Sequence, residues 1–289
     1  MKLIIFSNCG LRKDSTSLYF VRAFRTLLGE SNVRHIESLS ELEALQGGEA
    51  DHFIKIDDGQ HWQTFNKRLH PSSYYVIDTH IETDWRLKQG RDYAFDNVFV
   101  AHKQGLGLGW HTPNVSWVPV GCEPESHYVG QREKRYDIAH IGMFHSNYAD
   151  KRIEYVDAIF KAFPNFYFSS GTKFFKEMTE KYAESRIVFN KPLNGDLNMR
   201  FFEGMASGSA LLSEWLPEAK DLGFRSDIDY ISYQNKEEAI DKAKFYLDRP
   251  NALEDIARSG KQYTHDNHTY KHRAEQILEV ITKERVLNA

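Results

Sequence analysis

The chain has 289 residues, 41% hydrophobic and 27% charged, with a formal net charge of -4. That length suffices for two α/β domains of ordinary size, each burying its own core, while the composition excludes general disorder. The charge balance excludes the global basic footprint of a nucleic-acid binder and leaves room only for a local basic groove.

The N-terminal apolar run Leu3–Phe6 is too short for the core of a signal peptide and reads as a first buried strand. Further strands are expected at Val33–Ile36, Phe53–Ile56, Tyr74–Ile77, Val98–Ala101 and Val115–Val118, with helices at Ser15–Leu28, Leu39–Leu45 and about Asp84–Tyr93. The polar loop Ser7–Ser17 contains Gly10, Arg12 and Lys13 but lacks phosphate-loop spacing, so its cations read either as solvated charges or as ligand contacts. Tyr74–His80 is an apolar strand running into Asp-Thr-His. Asp78 and His80 alternate to one side of it at the end where ligands bind in open α/β sheets, unless Asp78 merely caps a turn. The thirteen histidines show no ligand-pair spacing, and His61, His80, His102 and His111 cannot be assembled from sequence, so no metal site is expected. Trp62, Trp85, Trp110 and Trp117 suit either stacking or core.

Two prolines and a glycine in Pro119–Pro124, followed by the charged run Gln131–Arg135, mark a linker. The rhythm then restarts with strands at Ile138–Ile141, Phe166–Phe168, Ile187–Phe189, Ala210–Leu212 and Asp229–Ile231. Helices begin near Tyr148, Thr172, Leu197 and Lys236, and two more follow at about Ala252–Tyr263 and Tyr270–Arg285. Strands alternating with helices predict βα units around mainly parallel sheets, hence two Rossmann-like domains, 1–122 and 123–268. Cys9 and Cys122 lie too far apart for a disulfide framework or zinc ribbon and are expected as reduced thiols. No window approaches a membrane span, and a cytoplasmic location is expected.

The most informative stretch is Ile187–Ser213, which reads as strand, polar loop, helix and second strand. Asp196 is expected to cap a helix over about Leu197–Ser207, and Gly208 to end it in the left-handed region. Amide groups at the helix start favour an anion, Arg200 lies in the first turn, and Glu203 follows one turn later, suited to a ribose diol. Alternatively, Arg200 and Glu203 form an i,i+3 surface pair, with Met199, Phe202, Met205 and Ala206 as core.

Asn190, Arg200 and Glu203-Gly-Met-Ala-Ser-Gly208, followed by Glu237-Glu238, Tyr246-Leu-x-x-Pro250, Ile256-Ala-x-x-Gly260 and His268-Thr-Tyr-x-x-Arg273, resemble the group 1 glycosyltransferases, in particular the spore-maturation-protein-B-like branch. The resemblance implies the B-type glycosyltransferase fold, α/β with two Rossmann-like domains facing across a cleft, and a last helix, 269–289, that returns to the first domain. It implies a nucleotide-sugar as donor substrate, no cofactor, and transfer to an acceptor hydroxyl with retention and without metal. Gly142, His145, Lys151 and Arg152 match the donor-diphosphate segment, and Gly171 lies where the base is bordered. Asn190, Lys191, Asn198, Arg200 and Glu203 complete the donor set, with Arg200, Lys191 and Arg152 facing the diphosphate. Asp78 and His80 fall on the acceptor side, either positioning the acceptor or, for His80, acting as base. Many members carry a second Glu where this chain has Gly195. The alternatives are an epimerase on the same scaffold and, because of Gly195, a non-catalytic nucleotide-sugar-binding protein. The acceptor is open among polysaccharide, protein, metabolite and modified DNA base, as is the oligomeric state.

Overall fold

The computed structural model describes residues 1–7, 15–57, 65–142, 152–170 and 175–287. They divide into two compact units, Met1–Val120 with the stretch from Tyr270 onward, and Gly121–Thr269.

The first unit is built on six parallel strands, β1 (Leu3–Phe6), β2 (Val33–Ile36), β3 (His52–Ile56), β4 (Ser72–Val76), β5 (Asn97–Val100) and β6 (Val115–Trp117), in the order β2-β1-β3-β4-β5-β6. Every residue of β1, β3, β4 and β5 is buried, as befits strands covered on both faces, although His52, Lys55, Ser72, Ser73 and Asn97 interrupt their apolar runs. Three helices connect them: α1 (Thr16–Leu28), α2 (Leu39–Ala44) and α3 (Thr83–Tyr93). The Ser15 hydroxyl caps α1 by accepting from the Leu18 amide. The last helix, α11 (Tyr270–Leu287), belongs to this unit and packs on α1. There the Tyr270 hydroxyl lies 3.1 Å from that of Thr16, and its ring sits against Tyr19 and Phe20.

The second unit has five parallel strands, β7 (Tyr136–Ile141), β8 (Phe166–Ser169), β9 (Ser185–Asn190), β10 (Ala210–Glu214) and β11 (Ile231–Tyr233), in the order β11-β10-β9-β7-β8. Its helices are α4 (Pro124–His127), α5 (Arg152–Ala162), α6 (Phe175–Ala183), α7 (Met199–Ala206), α8 (Pro217–Asp221), α9 (Lys236–Leu247) and α10 (Pro250–Asn267). Helix α5 packs on α9, and α7 on α10. Numbered within each unit, the second sheet follows the doubly wound order 2-1-3-4-5 and the first extends it to 2-1-3-4-5-6, the winding of each reversing between its first and third strands. Ligands of such sheets bind at the carboxyl ends of the strands beside that reversal.

Three departures from the sequence expectation share one cause. The expected linker contains α4, an unexpected α8 follows β10, and α10 starts at Pro250 rather than near Ala252. In each, a proline occupies the first turn, where its missing amide proton costs nothing and its fixed φ suits a helix. The last strand of the second sheet is shifted from Asp229–Ile231 to Ile231–Tyr233 because Asp229 is drawn into a turn, its carboxylate taking three hydrogen bonds from Arg225 and one from Ser259.

Candidate functional site

In the second unit the winding reverses between β7 and β9, and Arg200, in the first turn of α7, spans that junction. Its Nε and Nη2 donate to the Ile141 carbonyl at the end of β7, at 2.9 and 2.6 Å, and its Nη1 donates to Asn190 Oδ1 at the end of β9, at 3.1 Å. Both acceptors are neutral, and no carboxylate pairs with this guanidinium among the described residues. The arginine is thus fixed in position, with no compensating carboxylate among the described residues.

Gly142 explains the close fit. A Cβ at that position would fall 2.1 Å from Arg200 Nη2, so any side chain there displaces the guanidinium or its hydrogen bonds. Asn190 is 0% exposed. Its amide nitrogen donates to the Ser213 hydroxyl, and its oxygen accepts from both Asn198 and Arg200. Its geometry makes it the residue that positions Arg200. Asn198, expected in the donor set, caps α7, accepting from the Phe201 amide while its own amide holds Asn190. The Asp196 carboxylate, expected as the cap, instead closes the preceding loop by accepting from the Leu193 and Asn194 amides, because it stands three residues before the helix begins.

Glu203 lies one turn after Arg200 and is 9% exposed. It is not a surface partner of Arg200: its Oε1 is 3.8 Å from Nε2 of the buried His127 on α4. His127 Nδ1 accepts from the Glu123 amide, so the proton of the neutral ring is on Nε2, toward Glu203. Burial, with the neighbouring charge of His265, depresses the His127 pKa to about 3. The small residues that follow Glu203 are packing devices. A Cβ on Gly204 would meet Leu211 at 2.9 Å and Val188 at 3.1 Å, so glycine lets α7 lie close on β9 and β10. Gly208 has φ 84° and ends the helix as expected.

Lys191 follows β9 and donates to Glu214 Oε2 at the end of β10, at 2.6 Å, above the Tyr155 ring at 5.1 Å. Arg152 Nε donates to the Lys191 carbonyl at 3.0 Å. On β7 His140 is buried, its Nδ1 donating to the Phe189 carbonyl, which fixes the tautomer. Burial, then the positive charges of Arg200 and Arg152, hold its pKa well below the ordinary value, so it stays neutral beside them. The switch point thus gathers Gly142, Arg152, Asn190, Lys191, Asn198 and Arg200, while Glu203 lies farther along α7. His145, Lys151 and Gly171 lie outside the described residues, as do Cys9, Gly10, Arg12, Lys13, His61 and Trp62. Sequence reading missed Glu214, His127 and His140. Glu214 was findable as a carboxylate ending a strand, whereas His140 sits in an apolar strand that marks it only as core and His127 follows Glu125 and Ser126 in the expected linker region.

In the first unit, β4 ends at Val76, and Asp78 opens a turn in which its carbonyl accepts from the Ile81 amide. The carboxylate lies 3.9 Å from Nε2 of His102, which follows β5, and the His80 ring stands against that of His102 with centroids 4.6 Å apart. Burial would raise the Asp78 pKa, but the facing His102 and the charges of His80 and Arg86 outweigh it and bring the pKa below the usual value. Potential ligand atoms of Asp78, His80 and His102 all lie within 4.8 Å of one another, a grouping the sequence did not reveal. Three described tryptophans have structural partners: the indole nitrogens of Trp110 and Trp117 donate to the Gly105 and Ala101 carbonyls, and Arg86 lies over the Trp85 ring.

Residues 148–279 match the sequence family described as "Glycosyl transferase-like". No curated protein sequence matches the chain. Among solved structures, HepE of Anabaena in complex with UDP and glucose aligns with a TM-score of 0.72 over 98% of this chain and 100% of its own, at 10% identity. An alpha-glucosyltransferase bound to UDP-glucose and DNA containing an abasic site aligns at 0.68 over 98% and 99%, at 12% identity. Sucrose-phosphate synthase of Thermosynechococcus elongatus aligns at 0.66 over 99% and 100%, at 10% identity. At these identities the likeness is one of fold, and the fold is the two-domain B-type glycosyltransferase fold, with two parallel-sheet, Rossmann-like domains. No described helix is long and apolar enough to cross a membrane.

Proposed function

We propose that this chain is a glycosyltransferase that moves a sugar from a nucleotide-sugar donor to an acceptor hydroxyl. The observation that carries the reading is Arg200, a guanidinium fixed across the β7/β9 switch point by Ile141 and Asn190 with no carboxylate partner among the described residues. When the bond from the sugar to the diphosphate breaks, negative charge grows on the leaving oxygens. A cation already held in place stabilises that charge without reorganisation. Arg152 adds positive charge at the same strand ends, where the Lys191 charge is offset by Glu214, and helix amides at the start of α7 add oriented dipoles. This supports neutralisation of the donor diphosphate by protein groups, with no metal ion required there. Glu203 binds the ribose and orients the donor, a role in positioning rather than proton transfer. Transfer with retention, with Asp78 and His80 on the acceptor side, completes the reading. Since two of the structural neighbours hold UDP with glucose or UDP-glucose, UDP-glucose is the first donor to test.

Gly195, in the left-handed region beside an Asp196 occupied in its own loop, leaves no carboxylate where many group 1 enzymes have one. That favours, as a second reading, a donor-binding protein with little turnover. A thermal-shift panel of UDP, GDP, ADP, CDP and dTDP with their common sugars, on wild type and Glu203→Ala, tests the donor site. At about 100 times its Kd a ligand adds ~2.7 kcal/mol of stability. A selective shift lost in the variant is expected, and folded protein that responds to no nucleotide would refute the reading. Turnover with and without acceptor separates transfer from epimerisation and from binding alone.

A further inference from the structure

We propose that Asp78, His80 and His102 form a binding site for one divalent transition-metal ion of the zinc type, in the first unit and separate from the donor residues of the second. The donor set is one carboxylate and two imidazoles, the ligand chemistry that suits zinc and its neighbours in the first transition row. Three atoms within 4.8 Å of one another share a point no more than about 2.8 Å from each, 4.8 Å divided by √3. Zinc–nitrogen and zinc–oxygen bonds run at about 2.0–2.2 Å. Side-chain movements of less than about 1 Å close that difference, with the backbone in place.

The location and the state of His102 point the same way. Asp78 and His80 follow β4 and His102 follows β5, adjacent parallel strands, so the cluster sits at the carboxyl end of the sheet, to one side of the β1/β3 reversal. His102 is 5% exposed. Its Nδ1 has no hydrogen-bond partner among the described residues, and its Nε2 stands 3.9 Å from Asp78, a long contact for a hydrogen bond. His102 thus turns Nε2 toward a carboxylate that it does not closely bond and leaves Nδ1 without a hydrogen-bond partner among the described residues. The Asp78 side chain is 39% exposed, which leaves a route for an ion. The nearby cation, Arg86, is tied to the buried Asp57 at 2.8 Å, so its charge is offset before an ion arrives. Three protein ligands leave positions open for water or another oxygen ligand.

The test is metal binding by the full chain after chelator treatment. Titration with Zn²⁺ followed by calorimetry should show a single site, lost in the His80→Ala/His102→Ala double variant, and Co²⁺ should give visible bands that the double variant lacks. The control matters because the chain has 13 histidines. If the double variant fails to fold, His80→Gln, at a half-buried position, should still weaken binding by at least about tenfold on losing one of three ligands. Absence of Zn²⁺ binding by folded wild type, or equal binding by a folded variant, would overturn the proposal. The readout requires no glycosyl transfer, so its failure and failure of the donor-site reading are distinguishable.

Discussion

The two units wind their sheets in the same order but equip the strand ends differently. In the second unit the junction of β7 and β9 is a network of neutral hydrogen-bonding groups around one arginine: Ile141 and Asn190 accept from Arg200, while Asn198 and Ser213 hold Asn190. In the first unit, the carboxyl ends of β4 and β5 carry a cluster of two imidazoles and a carboxylate with a single long ion-pair contact. A neutral scaffold around a fixed cation suits a ligand that brings negative charge. Imidazoles beside a carboxylate suit a cation or an exchangeable proton. One winding order therefore supports opposite electrostatics, and the difference lies in the residues just past each strand.

The largest expected effect lies at Arg200. Arg200→Ala should lower kcat by about 100- to 1000-fold, the cost of removing one preorganised donor to developing charge, while leaving metal binding at Asp78 intact. Arg200→Lys should recover little, because an ammonium cannot reach Ile141 and Asn190 together with a fork of donors. If both variants turn over UDP-glucose normally in a direct assay, the contrast between the units loses its functional meaning.

Gly142→Ala sharpens the contrast without touching a charge. The new methyl would stand 2.1 Å from Arg200 Nη2, so the guanidinium must leave its place. A loss of about tenfold or more in kcat is expected, below that of removing the arginine, in keeping with the steep dependence of catalysis on positioning. In the Arg200→Ala background the same change should do almost nothing further, since the two effects share one cause. Additive losses in that double-mutant cycle would mean that Gly142 serves some other contact.

What the sequence revealed of this site follows from physical differences among its residues. Arg200 and Glu203 were legible because two charges, in a helix that otherwise buries Phe201, Phe202 and Met205, break its apolar pattern. The strands were legible because parallel sheets bury both faces. Asn190 was legible by resemblance, but the other support of Arg200, the Ile141 carbonyl 59 positions away, depends on a pairing between β7 and β9 that no local window contains. The same holds for His102, which lies 24 positions from Asp78 and meets it only because β4 and β5 are neighbours. Prolines misled for the opposite reason. Pro124, Pro217 and Pro250 look like interruptions in one dimension and begin helices in three.

Glu203→Gln should act on binding more than on the chemical step. It removes the charge but retains the shape, and a hydrogen bond to a charged group contributes about 1.5–3 kcal/mol. The expected result is a donor Kd raised by roughly 10- to 100-fold with a smaller change in kcat. An unchanged Kd with reduced kcat would instead give Glu203 a role in the reaction itself.

The smallest effect concerns pH and the histidine behind Glu203. The His127 pKa falls from an ordinary 6.5 to about 3 on folding, so as pH drops below 6.5 the unfolded chain takes up this proton first. The stability associated with the neutral ring is therefore complete above pH 6.5 and is lost as the pH falls toward 3, at up to about 1.4 kcal/mol per unit. His127→Gln keeps an acceptor for the Glu123 amide and a donor facing Glu203 but cannot titrate. Urea unfolding of wild type and variant at pH 7 and pH 5 isolates the contribution. The buried His140, also held neutral, remains in both proteins and cancels in the difference. Wild type should lose up to about 2 kcal/mol more than the variant between the two pH values. An equal loss would show that His127 already carries its proton in the folded state, and Glu203 would then be paired with a cation rather than held ready beside a neutral ring.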